Sequence, residues 1–103
     1  TPRSTLCGGT SKSPLWRTIL ANVLGIPLDL PVTEQGPGYG AALLAMVACG
    51  RYADVAEVSR AMLKIRETVE PDPALTALYE ARYAEFRQIY PACKDLFARL
   101  GRA

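Results

Sequence analysis

The chain has no histidine. That absence removes the Ser-His-Asp triad, the Cys-His dyad and most zinc sites, all of which use an imidazole. Cysteine is scarce too. Cys7, Cys49 and Cys93 lie far apart, odd in number, with no CxxC pair. Such a set builds neither a disulfide framework nor a thiolate metal cage. Each sits among apolar or small neighbours and reads as a small buried hydrophobe in a reduced compartment. Charge of one sign is also lacking. The net charge is +2, with Lys and Arg interleaved among Asp and Glu. No basic stripe with aromatic platforms emerges, so nucleic acid is not an expected partner. No apolar run spans a bilayer, since Pro37 to Cys49 is too short. No signal peptide opens the chain, and the expected location is cytoplasmic. There is no initiator Met. The opening Thr1-Pro2-Arg3 reads as a start inside a longer protein.

What is present is one small domain's worth of chain, 103 residues, half of them hydrophobic. The stretch Leu6-Cys7-Gly8-Gly9-Thr10-Ser11-Lys12-Ser13-Pro14 has the form of a strand end, a glycine turn and a helix start. Paired glycines let backbone approach a ligand with no Cβ in the way. A helix start just after them offers unpaired N–H groups and the positive dipole end, both favourable to an anion such as phosphate.

Punctuation divides the rest. Arg3 to Cys7 reads as a short strand. Ser13 caps a helix, Pro14 suits its first position, and Gly25 with Pro27 ends it. Its apolar face is Leu15, Trp16, Ile19, Leu20, Val23 and Leu24, so Trp16 reads as core. Residues 26–32 alternate, with Ile26, Leu28, Leu30 and Val32 on one side of a strand. Pro27 and Pro31 cannot donate to a ladder, which predicts a strand at an edge or with one side left unpaired. Thr33 and Glu34 start a second helix whose body, Gly38 to Cys49, has no charge and should be buried all round. Asp54-Val55-Ala56-Glu57 resembles a capping box, opening a helix with Val55, Val58, Met62 and Ile65. Residues 66–73 form a connection. Asp72 and Pro73 then cap a long helix to about Tyr90, with Leu75, Leu78, Tyr79, Tyr83, Phe86, Ile89 and Tyr90 as its core stripe. Pro91 breaks it, and Leu96, Phe97 and Leu100 mark a last short helix. The pattern is α/β and helix-rich, with two short strands and about four to five helices. Two strands are marginal alone, so the chain should end a larger domain or bury its apolar surplus as a homo-oligomer.

Gly8 to Arg17, Leu-Ala-Asn-Val-Leu-Gly at 20–25, Ile26-Pro27-Leu28, Glu34, Gly40 to Ala45, Gly50, Tyr52-Ala53-Asp54, Glu70 to Pro73 and Tyr90-Pro91 together resemble the C-terminal part of the FGGY carbohydrate kinases. The xylulose kinase branch is the nearest in pattern, and the likeness runs nearly the whole chain. The resemblance implies the C-terminal portion of a second actin/ribonuclease-H-like ATPase domain over residues 1–103, without the first, sugar-binding domain. It implies ATP and Mg2+, a sugar substrate, and transfer of the γ-phosphate to a pentulose such as D-xylulose. By resemblance Gly8, Gly9 and Thr10 match the turn beside the α-phosphate and adenosine, and Ser13 the position that reaches adenine. Lys12 has no fixed role. Thr10 stands where many relatives have a smaller residue, and Thr18 where Gln is common. The family's catalytic aspartate lies upstream, so the chain carries no catalytic base, no metal ligand, and no activity alone. The alternative is a small helical protein–protein interaction module, whose core should close by itself and which has no need of the glycine turn.

Overall fold

The computed structural model describes residues 2–33 and 36–102. Among them the chain forms β1 (Ser4–Thr5), a 3-10 turn (Gly9–Lys12), α1 (Pro14–Leu24), β2 (Leu28–Pro31) and α2 (Gly36–Ala48). There follow α3 (Val55–Met62), β3 (Ile65–Val69), α4 (Pro73–Phe86) and α5 (Ile89–Leu100). The helix-rich α/β class holds, but the two expected strands are joined by a third. β3 was hidden because Ile65 fits the helical spacing of Val58 and Met62, while Arg66 and Glu67 give the strand a charged, exposed middle.

The third strand changes the place of β2. The order is β1-β2-β3, with β1 parallel to β2 and β3 antiparallel to it. So β2 is central, not at an edge. It tolerates Pro31 because the register slips there: Leu30 faces Glu67 and Pro31 faces Ile65, a bulge where the missing N–H is needed least. Beyond it the ladder resumes, with Val32 N–H donating to the Lys64 carbonyl at 2.8 Å. Leu28 and Leu30 are fully buried, while Val32 is exposed.

The opposite face of β2 carries Asp29. Arg3 grips it with two prongs, Nη2 to Oδ1 at 2.6 Å and Nε to Oδ2 at 3.0 Å. The hydroxyl of Thr68, directly opposite in the ladder, donates to Oδ1 at 2.7 Å. One carboxylate thus ties all three strands. The Arg3 hydrogen bond, then that of Thr68, holds the Asp29 carboxyl below its ordinary value.

Helix ends follow the expected caps. Ser13 Oγ accepts from Trp16 N–H at 3.4 Å, Asp54 Oδ1 from Glu57 N–H at 2.7 Å, and Asp72 Oδ1 from Ala74 N–H at 2.8 Å. Glu57 reaches back to the Ala53 N–H at 2.7 Å, completing a reciprocal box. Gly25, at φ 64, ends α1 in the left-handed region, and a Cβ there would stand 3.0 Å from Thr76 Cγ2 of α4. The expected start of α2 at Glu34 lies outside the described residues.

Burial departs from expectation. The apolar core is Ala21, Leu28, Leu30, Leu43 and Val58. α1 turns Ala21 and Asn22 inward, leaving Leu15, Val23 and Leu24 exposed and Trp16 at 51% exposure, so Trp16 is not core. The uncharged α2 buries only Leu43. The α4 stripe is not a core either: Leu75, Leu78, Tyr83 and Phe86 are exposed. Pro91 does not break a helix. α4 ends at Phe86, and Pro91 sits in the first turn of a full α5, where a missing N–H costs nothing. Cys7 and Cys49 are exposed and Cys93 half-buried, with all three thiols free. The common reason is a shortage of covering layers. The radius of gyration is 19.3 Å, against about 13 Å for a compact chain of this length. The accessible surface is 7629 Å², against about 5,700 Å² for a monomer of this mass.

Because the folded state lowers the Asp29 pKa, its contribution to stability is present above the ordinary aspartate range and is lost as pH falls through the folded value. Asp29→Asn should flatten the acid limb of the unfolding curve, read by urea midpoints between neutral and acidic pH.

Candidate functional site

β1 points the chain past Cys7 into the glycine turn. Gly8 takes φ 87 and ψ −168, a conformation L side chains rarely adopt, so the reversal needs glycine. Gly9 does not have a positive φ. Its distinction is space: a Cβ added at Gly8 or Gly9 would meet nothing within 4 Å. The backbone here is therefore bare and open to an approaching group.

The turn is held from below. Ser11 is buried, its Oγ donates to the Gly8 carbonyl at 2.6 Å, and its N–H donates to the same oxygen at 3.1 Å. Ser13 N–H donates to the Thr10 carbonyl at 3.2 Å. Arg17 Nε donates to the Ser11 carbonyl, and its Nη1 lies 3.5 Å from Glu67 Oε2 on β3. The expected site residues Gly8, Gly9, Thr10 and Ser13 thus fall within one short turn. Gly8, Gly9 and Thr10 are exposed. Ser13 is half-buried and engaged as the α1 cap, which leaves its hydroxyl hydrogen free to reach outward. Thr18, the other departure from the family pattern, donates back to the Pro14 carbonyl at 3.0 Å.

Cys7 also lines an open apolar groove of about 370 Å³, together with Pro31, Tyr39, Gly40, Leu43 and Leu63. Tyr39 fixes its wall by donating to the Met62 carbonyl at 3.0 Å, which joins α2 to α3.

Three residues escaped the sequence reading: Ser11, Arg17 and Asn22. Asn22 is 2% exposed and accepts the Asp72 N–H at 2.7 Å, so it ties α1 to the start of α4. A lone amide in the apolar run Ile19–Leu24 was the available signal. For Arg17 the signal was its place one helical turn before Ala21, on the inward face.

Residues 5–49 match the model of the FGGY family of carbohydrate kinases, C-terminal domain. The chain resembles that family, and the likeness extends beyond the matched residues. It is 40% identical over 89 residues to a probable L-xylulose kinase of Pasteurella multocida, covering 86% of this chain and 17% of that protein. It is 34% identical over 83 residues to the autoinducer-2 kinase of Escherichia coli K12, covering 81% and 16%. Among solved structures, a ligand-bound xylulose kinase from Lactobacillus acidophilus superposes with TM-score 0.82 at 22% identity, over 95% of this chain and 20% of that one. A xylulose kinase from Rhodospirillum rubrum gives 0.72 at 29%, over 91% and 19%. The fold is therefore that of the C-terminal part of the actin-like ATPase fold of these kinases, and the chain spans about a sixth of its FGGY relatives' length. The likeness to the C-terminal part of the family, and to xylulose kinases within it, stands as the sequence suggested.

The two glycines should separate on substitution. Gly8→Ala is expected to cost about 1–2 kcal/mol, from the positive φ alone. Gly9→Ala should be close to neutral for stability. Urea midpoints of the two variants in the full-length protein check this. Asn22→Ala should leave the Asp72 N–H unpaired and loosen α4 from α1, seen as faster limited proteolysis at residues 70–73.

Proposed function

We propose that this chain supplies the adenosine and phosphate side of the ATP site of a sugar kinase that phosphorylates a pentulose. The observation that carries the reading is the bare glycine turn, Gly8 at φ 87 with open space over Gly8 and Gly9, inside the stretch that matches the FGGY model. Gly8, Gly9 and Thr10 would lie along the phosphates and ribose, and Ser13 near the adenine. The open backbone would let the nucleotide settle closely, and the N–H groups at the start of the turn suit its negative charge. Thr10 adds a hydroxyl and a methyl group to that surface.

The reaction is in-line transfer of the γ-phosphoryl group. The sugar hydroxyl oxygen forms a bond to the γ-phosphorus, the bond to the β–γ bridging oxygen breaks, and ADP leaves. The hydroxyl proton goes to a carboxylate base. That base, and the sugar contacts, come from the first domain of the parent protein. Mg2+ would accompany the nucleotide and neutralise phosphate charge.

The small core supports reading residues 1–103 as part of a larger nucleotide-binding domain. The surplus of accessible surface and the exposed α2 and α4 are what a domain looks like without its other layers. Any apolar surface left over would be buried between copies of the parent. An independent interaction module is disfavoured by the same facts, since its core should close unaided. Among the described residues no helix is long and apolar enough to cross a membrane. The substrates that fit this reading are D-xylulose, giving xylulose 5-phosphate, and L-xylulose, which the Pasteurella relative's name specifies.

The full-length protein should transfer phosphate from ATP to D-xylulose or L-xylulose, measured by coupled ADP release. Gly9→Ala should raise the KM for ATP about tenfold, the effect of losing one good contact, with the sugar KM unchanged. The isolated 103-residue chain should show no turnover. Absence of ATP-dependent transfer to either pentulose by the full-length protein would overturn the reading.

A further inference from the structure

We propose that Arg17 is a positioning residue that holds the glycine turn in its open form. It touches neither of the bare glycines. It acts through the peptide groups beside them. The Arg17 side chain is only 15% exposed, and it lies between the turn and β3. Nε donates to the Ser11 carbonyl, while Nη1 faces Glu67 Oε2 at 3.5 Å. One planar guanidinium therefore bridges a backbone oxygen of the turn and a carboxylate of the sheet.

The consequence follows from peptide geometry. No cis peptide bond occurs among the described residues, and in a trans peptide unit the C=O and the next N–H point in opposite directions. Arg17 draws the Ser11 carbonyl toward α1 and β3, so the Lys12 N–H is turned the other way. Ser11, with its N–H and its Oγ on the Gly8 carbonyl, does the same for the Gly9 N–H. Both carbonyls are engaged beneath the turn, and both following N–H groups are presented away from it. An anion near the turn would meet donors rather than repelling oxygens. Without Arg17, the Ser11 carbonyl has no such hold, and the 11–12 peptide can rotate to present oxygen instead.

Glu67 sets the angle of the guanidinium from the far side and links the turn to the sheet stitched by Asp29. Lysine at position 17 keeps the charge but reaches one partner at a time, because an ammonium lacks the fork. The graded series Arg, Lys, Ala therefore reads geometry separately from charge.

This inference rests on the nucleotide reading of the turn, and its test separates the two. The full-length protein is compared with Arg17→Ala, Arg17→Lys and Glu67→Gln by amide hydrogen exchange, thermal melting and steady-state kinetics with ATP and each pentulose. In Arg17→Ala, exchange at the Ser11 and Ser13 amides, which donate to the Gly8 and Thr10 carbonyls inside the turn, should quicken about tenfold, the effect of losing one charge-assisted hydrogen bond. Exchange in β2 should hold. The KM for ATP should rise by a similar factor, with kcat and the sugar KM within about twofold. Arg17→Lys should fall between, and Glu67→Gln, which retains an acceptor oxygen, should stay near wild type. Unchanged exchange at Ser11 and Ser13 overturns the proposal. So does uniform acceleration across β2 and the turn with a lowered melting temperature and no benefit from lysine, the mark of a merely structural role. If the wild-type protein shows no ATP-dependent transfer, the kinase reading fails, and the exchange data still decide whether Arg17 holds the turn.

Discussion

The fold depends on β2 being paired on both edges. Four residues, Leu28–Pro31, carry two of the five buried apolar side chains and the carboxylate that binds both neighbours. Each buried leucine contributes about 1.5–3 kcal/mol, which a two-residue β1 could not retain without further pairing. β3 supplies it from the other side. The parallel step from β1 to β2 requires a crossover, and α1 is that crossover. The glycine turn is where the crossover begins, so its position follows from the pairing of β1 with β2. Gly25 matters for the same reason, since it ends α1 with no Cβ at the point where Thr76 of α4 comes close.

Local signals in the sequence were reliable where the physics is local. Ser13, Asp54 and Asp72 cap the helices they were expected to cap, because a cap needs only its own next three residues. Period-two alternation located Leu28 and Leu30 in the sheet core. What the sequence hid was nonlocal. β3 has an exposed, charged centre, so its identity comes from pairing with β2 rather than from its own pattern. Of the two placements expected for β2, the edge position failed, while the unpaired side holds locally, since β1 pairs with Leu28 and Asp29 and a bulge to β3 lies at Leu30–Pro31. The α1 face misled because hydrophobicity marks every surface that is buried somewhere, while this chain covers only the side holding Ala21 and Asn22. At the site, Gly8 and Gly9 were legible as glycines. Ser11, Arg17 and Asn22 were not, since their importance lies in a partner chosen by the fold.

Exposed apolar surface in α1, α2, α4 and α5 has one physical meaning: helices without a second layer. Leu15 and Trp16 flank the glycine turn, and Leu44 flanks the apolar groove. On the proposed reading, a nucleotide site in which one wall is this open would need its opposite wall from another part of the protein. Covering layers would both stabilise the helices and enclose the site. Stability and function thus draw on the same missing surface, and a protein in which the layers close over the turn would exclude water from it as well.

Phosphoryl transfer asks little covalent chemistry of a protein. It asks that phosphates be held still and their charge met by donors set in advance. A donor is useful only if its peptide plane does not turn. In this chain the flexible element, two adjacent glycines, stands where the approach must be close, and the restraints stand just behind it in Ser11 and Arg17. Glycine alone would give access without order, and a rigid, β-carbon-bearing turn would give order without access. The combination separates the two demands: freedom of approach is set by absent side chains at Gly8 and Gly9, and orientation by side chains two to nine residues later. The contact from Arg17 to Glu67 then links the turn to the sheet, whose central strand holds the buried Leu28 and Leu30.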